Sequence, residues 1–219
     1  MIRFAQVKYS YGPQGRGFAL GPVNLEIPPG QIVVWAGHNG SGKSTAARLL
    51  TREIMPHAGE VLRPAGAAFY YCQQSAENAF VELTLGQHFR ALGGSGPKSF
   101  EVAQKRFPEL VELQHRYVDE LSGGQQQLFT FALAISRGFV ILVLDEVVNH
   151  LDRAIRLRVL EAAKQFVDDG QDRYCIVISH DLDVARAAAR VHLFREGQVI
   201  ADVRGDGIDS ALSRAGGLA

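Results

Sequence analysis

The chain has 219 residues, of which 47% are hydrophobic and 21% are charged, as is typical of a soluble globular protein. Lysine plus arginine equals aspartate plus glutamate at 23 each, so the charge balance argues against nucleic acid or an acidic membrane as a long-range partner. The longest apolar runs, such as Phe139 to Leu144, are far shorter than the ~20 residues that a transmembrane helix needs. The N-terminal residues show no signal-peptide pattern, and together these features predict a cytosolic protein.

The N-terminal part of the chain predicts a small sheet followed by a strand and a helix. Apolar residues alternate within 1–27, which indicates an antiparallel β subdomain. An apolar strand is predicted at 32–36 and a helix at 46–54. Two further strands are predicted at 60–62 and 67–72.

The remainder predicts a helical insert and then an alternating α/β pattern. Between 74 and 136 the apolar spacing is helical, which predicts a small helical subdomain. From residue 139 onward strands and helices alternate, so a mostly parallel sheet with flanking helices is expected, with a hairpin near Glu196. Residues 205–219 are small and polar and predict a loose tail with at most one short helix. The length fits a single domain over 1–219. The predicted elements are helices 84–92, 99–107, 125–136, 153–167 and 182–190 and strands 139–144 and 175–179.

One glycine-rich segment fits the phosphate-loop pattern G-x-x-x-x-G-K-[ST]. It follows a predicted strand and precedes a predicted helix, which is the context that the pattern requires. Its glycines let backbone N–H groups turn toward phosphate oxygens, and the helix N-terminus favours the same anion. Lys43 is expected to reach the outer phosphates of a nucleotide, and the Ser44 hydroxyl to bind a magnesium ion. The segment consists of Gly37, His38, Asn39, Gly40, Ser41, Gly42, Lys43, Ser44 and Thr45.

A second glycine pair lies at a predicted helix start, in Leu121-Ser122-Gly123-Gly124-Gln125. Ser122 and Gln125 form an S-x-x-Q capping box, so ordinary helix capping is one interpretation. Two adjacent glycines exceed what a cap needs, and they leave backbone N–H groups available to an anion, although no lysine is present. A second phosphate-binding terminus suggests that two chains share one nucleotide.

Two acidic residues, Asp145 and Glu146, follow the predicted strand 139–144. Ligands bind at the carboxyl ends of strands in open α/β sheets, so Asp145 is predicted to reach magnesium and Glu146 to act as general base toward the attacking water. The alternative, two solvated acids that open a loop, is disfavoured by the phosphate loop upstream. His180 follows the strand 175–179 and is predicted to contact the terminal phosphate, although a lone histidine is more often structural.

In these motifs the chain resembles the nucleotide-binding subunit of ATP-binding cassette (ABC) proteins. The motifs span nearly the whole chain and occur in the family's order. Residues 37–45 match the Walker A loop, 121–125 the signature motif, and 139–146 the Walker B strand with its catalytic glutamate. Residues 149–152 match the D-loop and 179–181 the switch histidine. The resemblance implies a P-loop NTPase fold and hydrolysis of ATP, with ATP and Mg²⁺ as cofactors.

The resemblance also implies roles for two residues that the pattern alone does not single out. Tyr11 falls where the family places an aromatic that stacks on adenine, and a tyrosine packed on the sheet is the alternative. Gln73 matches the catalytic Q-loop glutamine that contacts magnesium, with the adjacent Gln74 as the other candidate. The chain departs from the family at the dipeptide Val147-Val148, which replaces Pro followed by Thr or Ser, and at Leu128, which replaces an arginine. Neither position carries the chemistry, so hydrolysis is still expected.

Partners follow from the resemblance as well. Two nucleotide-binding subunits, in a homodimer or a heterodimer, are expected to close head to tail on ATP, and hydrolysis to open the pair. Integral membrane permease subunits are expected to dock at the inner face of the cell membrane, on a groove within Ser75 to Leu92. The apolar residues Ala79, Phe80, Val81 and Leu83 suit such a groove or, alternatively, the core of the insert itself. The transported solute is not expected to bind this chain.

The transport interpretation has two rivals. Residues 149–152 also match soluble cassette proteins that act on ribosomes, but those hold two cassettes joined by a charged linker. Repair-type cassette ATPases are split around a long coiled coil, and this chain has no heptad run. The loop 37–40 and the spacing from Gln73 to Phe80 resemble the ATPases of energy-coupling-factor importers, which favours an importer-like subunit.

Overall fold

The computed structural model describes residues 1–12, 17–72, 82–92, 98–136, 139–147, 151–170, 172–186 and 188–214. Its strands are β1 (Ile2–Ser10), β2 (Ala19–Ile27), β3 (Ile32–Ala36), β4 (Ala58–Leu62), β5 (Phe69–Cys72), β6 (Ile141–Asp145), β7 (Tyr174–Ile178), β8 (Arg190–Arg195) and β9 (Gln198–Arg204). Its helices are α1 (Lys43–Leu50), α2 (Leu85–Leu92), α3 (Lys98–Arg106), α4 (Leu110–Leu113), α5 (Gly123–Ser136), α6 (Arg153–Asp168), α7 (Leu182–Arg186) and α8 (Gly207–Arg214).

The N-terminal sheet is antiparallel, with strand order β2-β1-β4 among the described residues. Apolar side chains alternate along β1, where Ile2, Phe4 and Val7 are buried. This alternation lets one face of the sheet pack on the core while the other remains polar. The predicted antiparallel subdomain is confirmed.

The larger sheet is mostly parallel, with strand order β5-β6-β7-β3-β8-β9. Every described neighbour pair is parallel except β8 with β9, which form the predicted hairpin. The central strands β6 and β7 are buried at every position, as expected of strands covered on both faces. Because these strands run in the same direction, the carboxyl ends of β3, β6 and β7 lie along one edge of the sheet.

Two apolar clusters cover the opposite faces of this sheet. Along β3 the side chains alternate: Val33 and Trp35 belong to one cluster, and Val34 and Ala36 to the other. The first cluster contains α1 and the N-terminal sheet. The second contains α5, α6 and the helical insert. The α/β architecture with flanking helices is therefore confirmed, and the boundaries of the helical subdomain at 74–136 remain a prediction.

The helix starts agree with cap chemistry that is visible in the sequence. The backbone N–H of Thr84 donates to Gln87 Oε1 at 2.7 Å, and the N–H of Gln87 approaches Thr84 Oγ1 at 3.4 Å, which forms a capping box for α2. The Asp152 carboxylate accepts from the N–H of Ile155 at 3.0 Å at the start of α6. Both residues lie at the starts of helices that the sequence predicts, 84–92 and 153–167.

One C-terminal expectation is wrong. The predicted helix 182–190 ends at Arg186, because Arg190 already belongs to β8, where its guanidinium pairs with Asp202 on β9. In the predicted tail, the one short helix that the sequence allows is α8, which buries Ile208 and Leu212 against the larger cluster. These two side chains are four residues apart and therefore lie on one face of the helix.

The two cysteines lie in strands of the larger sheet. Cys72 on β5 and Cys175 on β7 are both free and buried. Burial raises the pKa of each thiol to about 12, so neither is a reactive thiolate at neutral pH. Among the described helices, none is both long enough and apolar enough to cross a membrane.

Candidate active site

The phosphate loop joins the end of β3 to the start of α1, as predicted. Gly37 and Gly42 have φ angles of 151° and 109°, which residues with a side chain rarely adopt. A Cβ atom on Gly42 would lie 2.6 Å from Leu20 Cδ1, and one on Gly37 would lie 2.3 Å from the carbonyl oxygen of Phe194. The surrounding chain therefore requires glycine at both positions.

The side chain of Lys43 lies inside this loop. Its Nζ donates to the carbonyl oxygens of Gly37 at 2.6 Å and His38 at 2.8 Å, and to Ser41 Oγ at 3.3 Å. Burial lowers the pKa of Lys43, and the negative charges of Glu146 and Asp145 act in the opposite direction. The ammonium group is thus held where the loop curls, next to the two acidic residues.

The turn between β8 and β9 supports the phosphate loop from outside. The N–H of Gly197 donates to the carbonyl oxygen of Ser41 at 3.0 Å. A cleft beside this contact is lined by loop residues and by two residues of the turn. The lining residues are His38, Asn39, Gly40, Ser41, Arg195 and Glu196.

The acidic pair lies at the carboxyl end of β6, on the same edge of the sheet as the phosphate loop. Glu146 has a φ of 58°, and its N–H donates to the carbonyl oxygen of Ile178 on β7 at 3.0 Å. Its Oε1 lies 3.9 Å from Nδ1 of His180, which follows β7. The structure therefore brings together Lys43, Asp145, Glu146 and His180, which the sequence assigned to one site.

Asp145 has two carboxylate oxygens in different environments. Oδ2 accepts a hydrogen bond from the Tyr71 hydroxyl at 2.6 Å. Oδ1 is buried and makes no hydrogen bond with the described residues. Burial raises the pKa of Asp145, while the hydroxyls of Tyr71 and Ser44 act in the opposite direction.

The buried Oδ1 of Asp145 and the hydroxyl of Ser44, an exposed residue at the start of α1, fit a magnesium ion. Mg²⁺ prefers oxygen ligands and is bound in phosphate sites by one or two protein groups together with substrate phosphates and water. Within the described ranges, no group of three or more His, Cys, Asp and Glu residues is arranged to hold a metal. A site completed by nucleotide phosphates agrees with that observation.

The signature segment forms an exposed capping box. The N–H of Ser122 donates to Gln125 Oε1 at 3.0 Å, and the N–H of Gln125 approaches Ser122 Oγ at 3.4 Å. A Cβ atom on Gly123 would have no described atom within 4 Å, and one on Gly124 would meet only Leu151 Cδ2 at 3.9 Å. The described residues therefore give no steric reason for either glycine.

The remaining predicted residues are partly described. The ring of Tyr11 packs edge-on against Tyr9 with centroids 5.0 Å apart, and Arg48 Nη1 on α1 lies 3.5 Å from the Tyr11 hydroxyl. The Q-loop candidates Gln73 and Gln74 lie outside the described residues. The same holds for the first part of the D-loop, residues 149 and 150.

Two contacts at this edge were missed by the sequence analysis. Tyr71 reaches Asp145, and Arg156 on α6 forms an ion pair with Asp181 and donates to the carbonyl oxygen of Leu151 at 3.2 Å. Arg156 thereby connects the second part of the D-loop, at Leu151, with Asp181, the residue that follows His180. Both contacts join segments distant in sequence, so no local pattern indicates them.

The sequence profile of the ABC transporter family matches residues 20–149. The chain belongs to that family. The energy-coupling factor transporter ATP-binding protein EcfA1 of Mycoplasmopsis synoviae is 28% identical to the cassette over 218 residues, covering 92% of this chain and 82% of that protein. The hemin import ATP-binding protein HmuV of Methylobacillus flagellatus is 32% identical, covering 82% and 76%.

Solved structures agree with the family assignment at the level of the fold. An ATP-binding subunit of an ABC transporter has a TM-score of 0.81 at 22% identity and covers 100% of the cassette and 94% of its own chain. A dimeric bacterial ABC transporter cassette has a TM-score of 0.77 at 24% identity and covers 93% and 98%. The chain is accordingly an ATP-binding subunit that hydrolyses ATP to drive transport. Subunits of this family dimerise and work with membrane components of transporters.

Proposed function

We propose that Glu146 is the general base of ATP hydrolysis in a site that two nucleotide-binding subunits share. The observation that carries this proposal is the convergence of Lys43, Asp145, Glu146 and His180 at one edge of the sheet. Phosphoryl transfer depends mainly on positioning and on charge neutralisation. This edge supplies a cation for the phosphates, a buried carboxylate, and a base that is held next to a histidine.

Each residue has a defined task in the reaction. Lys43 turns from the loop carbonyls to the outer phosphates of ATP, and Glu146 accepts the proton of the water whose oxygen bonds to the terminal phosphorus. The bond between that phosphorus and the bridging oxygen breaks, and His180 holds the departing phosphate. Ser44, Asp145 and Gln73 would hold Mg²⁺, which would neutralise charge on the phosphate oxygens when bound.

The dimeric part of the proposal rests on the faces of the sheet. The phosphate loop leads into α1 on one face, whereas the signature segment begins α5 on the opposite face. A nucleotide can therefore contact both loops when two chains are arranged head to tail, with the phosphate loop from one chain and the signature segment from the other. In that arrangement Ser122, Gly123, Gly124 and Gln125 of one chain meet the ATP held by the other, and Tyr11 stacks on its adenine.

Transport through separate permease subunits is the cellular role that the relatives support. Proteins named for energy-coupling factor transport and for hemin import are similar over most of this chain. We therefore assign the chain to an importer-like assembly at the inner face of the cell membrane. The same relatives favour transport over the alternative of a soluble cassette protein acting on ribosomes.

Glu146→Gln tests the base. The variant is expected to bind ATP normally and to hydrolyse it ~10² to 10⁴ times more slowly, which is the usual contribution of a general base. Its closed dimer should accumulate with ATP and Mg²⁺ and elute from size exclusion at twice the monomer mass. Glu161→Gln, an exposed position on α6, is the matched control. A normal hydrolysis rate in Glu146→Gln would contradict the assignment.

Ser122→Arg tests the shared site. The substitution places a long side chain at the signature segment, which is exposed in this chain, so nucleotide binding by the monomer should be unchanged. Dimerisation of the Glu146→Gln protein should be lost when Ser122→Arg is added. Retained dimerisation of the double variant, together with normal hydrolysis by Ser122→Arg alone, would show that the nucleotide is not shared.

The partner is tested by purifying the chain from solubilised native membranes and, in parallel, from the soluble fraction. Recovery with polytopic membrane proteins is expected, and those proteins would define the solute. Recovery only with ribosomes would overturn the transport role without affecting the assignment of Glu146.

A further inference from the structure

We propose that Tyr71 is a positioning residue for the magnesium carboxylate, because its hydroxyl holds Asp145 so that the other carboxylate oxygen faces the metal. The inference rests on the proposed magnesium role of Asp145 and goes beyond it by assigning a task to Tyr71. Tyr71 contacts neither nucleotide nor metal in this assignment and acts only through Asp145.

The register of two strands places Tyr71 beside Asp145. On β5 Tyr71 pairs with Val143 of the parallel neighbour β6, and Asp145 is two residues further along β6. Side chains two residues apart in a strand point to the same face, so all three share one face. Val143 and Tyr71 pack in the cluster that contains α1, the helix that begins at the phosphate loop.

The tyrosine spans the gap between the two positions. Two residues of a strand cover about 7 Å, and the phenol bridges this offset to place its hydroxyl 2.6 Å from Asp145 Oδ2. That distance is typical of a hydrogen bond between a hydroxyl and a carboxylate. Burial and the charge of Asp145 raise the pKa of Tyr71, so the hydroxyl keeps its proton and remains a donor.

The hydrogen bond makes the two oxygens of Asp145 unequal. Oδ2 is occupied by Tyr71, and Oδ1 is buried without a hydrogen bond among the described residues. Without the phenol, rotation of the carboxylate would exchange the two oxygens. Groups that orient a metal ligand in this way typically contribute 10- to 100-fold to metal affinity.

The variant Tyr71→Phe removes the hydroxyl and keeps the ring. The measurement is the affinity of a fluorescent ATP analogue, taken with EDTA and then over a range of Mg²⁺ concentrations. Metal-free affinity is expected to match the wild type. The Mg²⁺ concentration that gives half of the metal-dependent increase in affinity for the analogue should rise about tenfold in Tyr71→Phe. An unchanged Mg²⁺ dependence would overturn the proposal.

Tyr70→Phe is the matched control, since it removes a hydroxyl from the preceding residue of the same strand. The ring of Tyr70 packs with the cluster on the opposite face and contacts Phe139 with centroids 5.2 Å apart. Its Mg²⁺ dependence should equal that of the wild type. An equal shift in both variants would indicate a general effect on β5 and would also overturn the proposal.

The variant Asp145→Asn distinguishes a failure of the magnesium role of Asp145 from a failure of the positioning role of Tyr71. If this variant keeps the wild-type Mg²⁺ dependence, the magnesium role of Asp145 fails, and the role of Tyr71 fails with it. If Asp145→Asn loses that dependence while Tyr71→Phe keeps it, only the Tyr71 assignment fails. In the double variant, Tyr71→Phe should add nothing to Asp145→Asn, because residues that act through one another are not additive. An additive effect would show that Tyr71 acts independently of Asp145.

Discussion

The two glycine loops of the cassette differ in how much support each receives from its own chain. The loop 37–45 is held by Lys43, by the turn at Gly197, and by close packing around Gly42. Among the described residues, the segment 122–125 is held by its capping box, and a side chain at Gly123 would meet no described atom. One loop is complete within the chain, whereas the other presents its glycines outward.

The difference indicates where each loop finds its ligand. The glycines of the first loop are required by the packing of this chain, but no described residue requires Gly123 or Gly124, and these two glycines need another explanation. A partner that approaches Gly123 and Gly124 closely would provide it. In the proposed dimer the two loops are the two halves of one site, and within the described residues the Walker A half is the one that is preorganised.

The largest expected effect comes from removing the positively charged side chain of Lys43 from the first loop. Lys43→Ala should weaken binding of a fluorescent ATP analogue by about 10²- to 10³-fold, because it removes charge-assisted hydrogen bonds to phosphate. Lys164→Ala, an exposed lysine on α6, should leave binding unchanged. Because the monomer alone is tested, equal affinity of Lys43→Ala and wild type would refute a preorganised first loop.

The next prediction compares the substitution of glycine by alanine in the two loops. Gly42→Ala forces a side chain into a φ of 109° and against Leu20, at a cost of about 1–3 kcal/mol, and should weaken nucleotide binding by about tenfold or more. Gly123→Ala should leave monomer binding unchanged and raise stability by up to ~1 kcal/mol. Denaturant unfolding and analogue titration measure both. Loss of monomer binding in Gly123→Ala would remove the contrast between the loops.

The same Gly123→Ala protein tests the outward role of its glycine. In the Glu146→Gln background it should dimerise more weakly with ATP and Mg²⁺, because the new methyl group lies where the partner's nucleotide approaches. Size exclusion at several protein concentrations measures the effect. Undiminished dimerisation would mean that the open space at Gly123 has no partner.

Much of the fold could be predicted because its determinants are local. The strand before Gly37, the cap at Asp152 and the buried run of β6 each follow from a few neighbouring residues. The error at the predicted helix 182–190 has a non-local cause, because Arg190 leaves that helix to pair with Asp202 on the adjacent strand. The packing of α8 is also non-local, since it depends on two apolar residues, Ile208 and Leu212, in a polar stretch.

The site divides in the same way. Residues at strand ends, such as Asp145 and Glu146, were predictable because parallel strands bring their ends to one edge. The bond from Tyr71 to Asp145 joins residues 74 positions apart, and it depends on the register of β5 with β6. No spacing rule reveals that register, so a tyrosine near the end of a strand looked like an ordinary sheet residue.

The smallest effect at neutral pH concerns a buried support behind the first loop. Trp35, which leads into Gly37, donates from Nε1 to Nδ1 of His192 at 3.1 Å. Burial lowers the pKa of His192 to about 4, opposed by Asp202 and reinforced by Arg190 and Arg204. The folded protein therefore binds fewer protons here than the unfolded chain, whose histidine has a pKa of about 6.5.

Stability that depends on neutral His192 is fully present above pH 6.5 and is lost as the pH falls toward 4. The loss should reach about 2 kcal/mol at pH 5. His192→Gln retains an acceptor for Trp35 without titrating, so its free energy of unfolding should fall less between pH 7 and pH 5. His115→Gln, at an exposed position, should follow the wild type. If the free energy of unfolding falls equally with pH in the wild type and in His192→Gln, protonation of His192 does not contribute to the acid sensitivity of the fold. The first loop would then be held by its immediate contacts, Lys43 and Gly197, because the buried pair Trp35 and His192 beneath it would make no pH-dependent contribution to stability.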